Sequence, residues 1–303
     1  MVQMNTVLKS NYSLYTRFWA YLQVMRPANI VTAWADILTG YAASGAVLGV
    51  SLAWLILATT GLYGGGVVFN DVFDAQLDAL ERPERPIPTG KASVIGATIL
   101  GIVLLSIGIV AAAQVSLLSA VIAVFVAMGA LIYDAWNKHN ALLSPINMGL
   151  CRGGNLLLGV SATSAMVTER WFLALIPIFY IAAVTAISRG EVHGGKSSTG
   201  KLALLLLAIA LGGVLALGLL PSYSIFAALP FLALLTAQVF PPFIAATKEP
   251  SADMIRKAVK AGVLSLIILD ASMAAGFAGW LYGLLVLGLL FVSITLAKVF
   301  AVT

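Results

Sequence analysis

The predicted fold class is all-α, a polytopic bundle of membrane-spanning helices, and three observations carry it. The 303 residues are 61% hydrophobic and only 10% charged, with a mean hydropathy of +1.02, whereas soluble domains hold about 25% charged residues. Apolar runs long enough to cross about 30 Å of hydrocarbon recur along the whole chain. The basic residues gather in alternate connections between those runs, as the positive-inside bias requires.

The runs fall near 28–48, 52–72, 93–113, 116–135, 145–166, 171–188, 201–219, 222–246, 257–279 and 282–301. They make ten helices, with nine as the alternative count, because only Pro221-Ser222 and the stretch from Gly279 to Gly283 punctuate 201–246 and 257–301. Residues 1–25 are mixed and polar. Tyr12, Leu14, Tyr15, Phe18, Trp19 and Leu22 suggest a short amphipathic segment at the interface, against a frayed leader as the plainer alternative. With the N-terminus in the cytoplasm, Arg82, Arg85, Lys91, Lys138, Arg189, Lys196, Lys201, Lys248, Arg256, Lys257 and Lys260 all fall on one side, and Arg170 alone sits on a clearly external loop. Ten crossings fit that parity. The expectation is one transmembrane unit over 1–303, in the cell inner membrane, with the basic face toward the cytoplasm. The net charge of +5 describes that face, and no basic run interleaves with aromatics outside the helices, so no nucleic-acid partner is expected. Cys151 is the only cysteine, which removes disulfides and thiolate metal sites from consideration.

The second run ends in Asn70-Asp71-Val72-Phe73-Asp74-Ala75-Gln76-Leu77-Asp78. Helical residues three, four and seven apart share a face, so Asp71, Asp74 and Asp78 are expected in one column with Asn70 a turn below Asp74. Three like charges within about 11 Å repel unless a divalent metal or basic side chains neutralise them. Mg²⁺ takes one or two carboxylates plus substrate phosphate oxygens. The string therefore points to a magnesium-diphosphate site, with a solvated helix end as the bland alternative. Gly64-Gly65-Gly66 just before it allows close backbone approach but lacks the strand and Lys-Ser/Thr of a phosphate loop.

A duplication is visible as well. Pro27-Ala28-Asn29 opens the first run and Pro145-Ile146-Asn147 the fifth, with Gly40 and Gly159 in equivalent places, at an offset near 118. The same offset carries Asp71 close to Arg189-Gly190-Glu191-Val192-His193. Two four-helix pseudo-repeats would bring both polar motifs to one face.

These residues resemble the UbiA superfamily of intramembrane prenyltransferases. Asn70, Asp71, Asp74 and Asp78 match its Asn-Asp-x-x-Asp-x-x-x-Asp pattern, and the segment from Arg82 through Arg85 to Gly90 is similar to its Arg-Pro-x-Pro-Ser-Gly loop. Arg26-Pro27 is a third match, and Tyr133 to Lys138, followed by His139, resembles a Tyr…Lys-Arg segment. The resemblance implies nine core transmembrane helices around a central cavity, leaving 282–301 as a tenth, and a cytoplasmic cap. It implies Mg²⁺-assisted transfer of an isoprenyl group from an isoprenyl diphosphate to an aromatic or other lipophilic acceptor within the lipid bilayer. Ionisation of the allylic diphosphate would then be assisted by metal and by Arg and Lys donors that meet the leaving charge.

In those terms Asp71, Asp74 and Asp78 are the metal ligands, and Asn70, Arg82, Arg85, Tyr133, Lys138 and Lys196 bind the substrate. The family usually carries a second Asp-x-x-x-Asp after the sixth helix. Here Ile187 to Lys196 offers only Glu191, so Glu191 is expected to complete the catalytic and metal set, with Arg189 and His193 joining the substrate-binding residues. This string also resembles the EboC-type branch of UbiA-like membrane proteins. The departure motivates a rival function, a UbiA-like protein that binds and translocates or escorts a prenylated or amphipathic metabolite.

Other polar residues lie inside the membrane. Asp36, about 15 Å along its helix from Arg26, has Arg152 and Asn155 as candidate partners, and a structural Asp36–Arg152 pair competes with acceptor binding or proton removal. Asp270 poses the same choice. Tyr63, Phe69, Phe73 and Tyr133 are candidates to line the isoprenoid cavity, while Trp280 and Tyr282 look like an interfacial pair.

Overall fold

The computed structural model describes residues 12–300, which are helical with no strand among them. Residues 1–11 of the expected interfacial segment lie outside the described residues. α1 (Leu14–Met25) is capped by Ser13, whose hydroxyl accepts from the Thr16 amide at 3.2 Å, and it exposes Leu14, Tyr15 and Phe18 while burying Ala20 and Val24. α2 (Pro27–Ser44) and α3 (Val50–Phe73) form the first hairpin, and α4 (Ala75–Glu81) extends α3 past a break at Asp74. α5 (Val94–Ala113), α6 (Leu117–Ala135) and α7 (Leu143–Val160) follow. The next crossing is built from α8 (Ser164–Arg170) and α9 (Leu175–Ser188), joined by the 3₁₀ turn Trp171–Ala174. α10 (Ser197–Ala216), α11 (Ile225–Lys248), α12 (Ala252–Ala278) and α13 (Trp280–Val299) complete the chain.

Contacts between connections fix the direction of each crossing. Lys138, after α6, pairs with Asp74 after α3, and the Gly195 amide, after α9, donates to the Pro250 carbonyl after α11 at 2.9 Å. Phe300 stacks on Trp19 of α1 at 4.9 Å, so both ends of the described chain meet at that same end of the bundle. At the opposite end Arg170 donates to the Ala43 carbonyl and, at 3.2 Å, to Ser222. The structure thus has the polytopic helical architecture expected, with ten crossings among the described residues. α2 stops at Ser44 rather than near 48 because Gly45 takes a left-handed φ of 67° and caps it.

Eight of the crossings are long and apolar enough to span a membrane by length and composition. The other two are α2 and α7, each 18 residues, about 27 Å of helix. They carry Asp36, Asn147, Arg152 and Asn155, all buried, and their polarity is tolerated because neighbouring helices cover it. Asp36 and Arg152 do pair, at 2.7 Å.

Glycines set how closely the helices approach. A Cβ on Gly159 would meet the Ile37 carbonyl oxygen at 2.6 Å and Gly40 Cα at 3.0 Å, so the two repeat-related glycines form the α2–α7 crossing. A Cβ on Gly65 would meet Leu105 Cγ at 2.8 Å, and one on Gly108 the Ala58 carbonyl oxygen at 2.8 Å, so glycines of both helices seat α3 against α5. α13 packs along α2 and α12, where Tyr282 donates to the Leu38 carbonyl at 3.0 Å and Ser293 to that of Ala28 at 2.9 Å. Tyr282 is therefore an interhelix contact, and of the expected interfacial pair only Trp280 is exposed.

Candidate active site

The acidic string sits where α3 runs into α4. Backbone bonding continues through the break, with the Asp74 amide donating to Asn70 at 3.0 Å and the Asp78 amide to Asp74 at 2.8 Å. The expected single column nevertheless divides. At 3.6 residues per turn Asp71 and Asp78 are about 20° apart around the axis, whereas Asp74 stands about 60° from Asp71. Accordingly Asp71 and Asp78 share Arg85, at 3.4 and 2.7 Å, while Asp74 pairs with Lys138. Asn70 turns to α6, donating from Nδ2 to Asp134 Oδ1 at 2.8 Å.

Two members of this cluster, Arg26 and Asp134, lie outside the site residues expected from the sequence. Arg26 donates to Asp71 at 2.5 Å from the junction of α1 and α2. Its φ of 49° is the one left-handed value at a non-glycine among the described residues, the kind of backbone strain that persists where surroundings fix a functional side chain. Arg26-Pro27 had signalled the family but not the ion pair. Asp134 is buried, one turn before Lys138, and a carboxylate closing an apolar helix beside Tyr133 was the available signal.

Arg85 is carried by the 82–92 loop, which folds back on itself. The Thr89 amide donates to the Arg85 carbonyl at 3.0 Å, Gly90 turns at a φ of 73°, and Tyr12 donates to the Thr89 carbonyl at 3.3 Å. The paired side chains are no more than 18% exposed, and charges so buried require partners. Asp71, Asp74, Asp78 and Asp134 contact Arg26, Arg85 and Lys138 or Asn70. With all four acids ionised, the cluster is one positive charge short.

The donor set is carboxylate and carboxamide oxygen, the chemistry of a hard divalent cation. Among the described residues no three Asp, Glu, His or Cys side chains converge as an all-protein cage would need. Mg²⁺ needs no such cage, since it completes its shell with phosphate oxygens and water. Asp71 and Asp74 fit that demand, and Arg26, Arg85 and Lys138 supply phosphate donors beside them.

The second region is only partly gathered here. The charge of Glu191 is met by Arg82 and Arg256, and among the described residues no three acidic side chains converge with it. Burial pushes its carboxyl above the usual range, opposed by those two cations. His193 is exposed. Gly194 turns at a φ of 81° and Gly195 is tied to Pro250. That turn directs Arg189 and Lys196 to a neighbouring cavity of about 350 Å³, shared with Thr199, Pro250 and Ile255. Tyr133 precedes Asp134 near the end of α6, close enough to Asp74, Asp134 and Arg189 to feel their charge. Of the aromatics expected in the cavity, Phe69 packs on Gly101 of α5 and Phe73 is half exposed.

A ten-crossing bundle with buried acids and bases interleaved at one end is an integral membrane protein of the helical class. The chain belongs to the UbiA prenyltransferase family, whose sequence pattern matches residues 28–247. It is 33% identical over 186 residues to the digeranylgeranylglyceryl phosphate synthase of Methanothrix thermoacetophila, covering 60% of this chain and 67% of that one. It spans about two thirds of the length of the curated relatives it matches. The fold is that of a UbiA homologue from Archaeoglobus fulgidus, with a TM-score of 0.67 at 19% identity over 89% of this chain and 99% of that one. A structure of a homologue from the same organism bound to DMAPP and Mg²⁺ aligns with a TM-score of 0.53 at 16% identity, over 88% of this chain and 99% of that one.

Proposed function

We propose that this chain is a magnesium-dependent prenyltransferase that moves an isoprenyl group from its diphosphate to a lipophilic nucleophile in the bilayer. The observation that carries the reading is the buried exchange of ion pairs among Asp71, Asp74, Asp78, Arg26, Arg85 and Lys138. Bound Mg²⁺ would supply Lewis-acid charge at the diphosphate oxygens, and Asp71 and Asp74 would hold it, with Asn70 and Asp78 beside them. Arg26, Arg85 and Lys138 donate to phosphate oxygens and stabilise the charge that grows as the C1–O bond breaks, more than they stabilise the ground state. The aspartates hold these bases in position meanwhile. The acceptor oxygen or carbon bonds to C1 and gives up its proton, and diphosphate leaves.

The bound DMAPP and Mg²⁺ of the Archaeoglobus fulgidus homologue support the donor and metal. The relatives' name favours a glyceryl phosphate lipid as acceptor over an aromatic one. The whole of 1–303 is read as one such unit in the inner membrane, with the acidic string facing the cytoplasm, a reading supported by the bases collected at that end. Purified protein given Mg²⁺, acceptor lipid and a labelled isoprenyl diphosphate is expected to release diphosphate, and Asp71→Ala and Asp74→Ala to abolish release. Undiminished turnover in both would sink the reading.

A second reading is favoured by Glu191, which stands among cations in place of a paired aspartate motif. On it, the protein binds and escorts a prenylated or amphipathic metabolite without turnover. A deletion strain then shows a changed metabolite distribution that Asp74→Ala still corrects, whereas failure of Asp74→Ala to correct it excludes this reading.

A further inference from the structure

A second cluster of charge lies at the crossing of α2, α7 and α12, apart from the acidic-string site. Arg152 Nε on α7 stands 2.7 Å from Asp36 Oδ2 on α2, and its terminal nitrogens donate to Thr32 Oγ1 at 3.2 Å and to the Thr32 carbonyl at 2.5 Å. Asn155 donates to that same Asp36 Oδ2 at 2.8 Å and to the Ala33 carbonyl at 2.9 Å. Thr59 fixes the amide by donating to Asn155 Oδ1 at 2.7 Å. The Asn155 hydrogen bond and the Arg152 ion pair both fall on Oδ2, and Arg152 Nε makes no hydrogen bond.

Asp36 Oδ1 is left without one, and so is Asp270 Oδ2 on α12, both fully buried. Asp36 is 0% and Asp270 1% exposed, and the two carboxyl groups stand within hydrogen-bonding reach of each other. The backbone fixes this approach, since Thr39 of α2 donates to the Asp270 carbonyl at 2.9 Å. The other polar groups facing the cluster do not supply the missing donor. Tyr63 on α3 presents its ring to Arg152, 6.0 Å from the centroid, and Tyr180 on α9 spends its hydroxyl on the Gly262 carbonyl at 2.9 Å. α13 brings Val286, Leu287 and Leu290 to this level.

Two ionised carboxylates beside one guanidinium would leave a net negative charge in the membrane interior and set two acceptor oxygens against each other. We infer that Asp36 and Asp270 bind one proton between Oδ1 and Oδ2, which makes the cluster with Arg152 neutral and gives both orphaned oxygens a partner. The cluster is distinct from the acidic-string site, since Asp36 lies about 15 Å along α2 from Arg26. Loss of the proton would turn the α2–α12 contact from attraction to repulsion, so this contact couples the bundle to proton concentration.

Infrared spectra of the purified protein in lipid at neutral pH test this. A carboxylic-acid C=O band is expected in the difference between wild type and Asp270→Asn, lost also in Asp36→Asn. Labelling aspartate carboxyl carbon with ¹³C in the wild type should move that band, a measurement that does not depend on either variant folding. A difference spectrum holding only ionised-carboxylate bands, or no label-sensitive acid band in the wild type, overturns the inference.

Discussion

Asp134 shows what a single residue contributes at the acidic site. Its Oδ1 accepts from the Asn70 amide nitrogen and so fixes the orientation of the Asn70 carboxamide beside the aspartates. A hydrogen bond to a charged group is worth about 1.5–3 kcal/mol, so Asp134→Leu should lower kcat/KM for the isoprenyl diphosphate about tenfold or more. Asp134→Asn keeps an acceptor and should cost less, and full activity in Asp134→Leu would contradict the assignment. Glu191 offers a pH test. Its carboxyl is raised by burial, so the folded state holds a proton that the unfolded state gives up earlier. Its contribution to stability is therefore complete below the unfolded value and declines as pH rises through the folded one. Glu191→Gln should make the thermal midpoint less sensitive to pH across that window, and an unchanged pH profile would refute this. The acidic string was legible residue by residue because its spacing and charge have few other uses. The partners were not. Nothing in the sequence states that Arg85 serves Asp71 and Asp78 while Lys138 serves Asp74, because that division follows from the angle about the helix axis at a break no residue type announces.

Among the elements, α2 and α7 are the informative pair. Hydropathy alone undervalues them, yet their Pro-x-Asn starts and matched glycines marked them as copies, and they meet at Gly40 and Gly159. Gly40→Val would force a side chain into the backbone of α7, and overpacking of this kind costs about 1–3 kcal/mol. A clear fall in thermal midpoint is expected for it. Gly212→Ala, on the open side of α10 where a Cβ meets nothing within 4 Å, should leave the midpoint unchanged. Equal midpoints for the two variants would contradict the packing described. The region after α9 shows what an offset alone leaves out. The offset of the duplication carries Glu191 to the right end of the bundle, but the turn at Gly194 and the tie to Pro250 then direct Arg189 and Lys196 toward α11 and α12.

For the molecule as a whole, ten crossings bring both ends of the described chain and every basic connection to one face, with Arg170 at the other. Composition and charge parity made that legible, since lipid forces each span to be apolar and the bases to be sorted. In a Cys151→Ser background, Lys91→Cys and Lys196→Cys should react with a membrane-impermeant thiol reagent from the cytoplasmic side and Glu169→Cys from the opposite side. Labelling of all three from one side would overturn the topology. The central claim is that the carboxylates and bases at the α3–α4 junction bind a diphosphate together with magnesium. Calorimetric titration of the purified protein with an isoprenyl diphosphate tests it most directly. Binding is expected with Mg²⁺, is expected to vanish when the metal is chelated, and is expected to be lost in Asp71→Asn and Asp74→Asn. Equal affinity in the absence of Mg²⁺ and in both variants would contradict it.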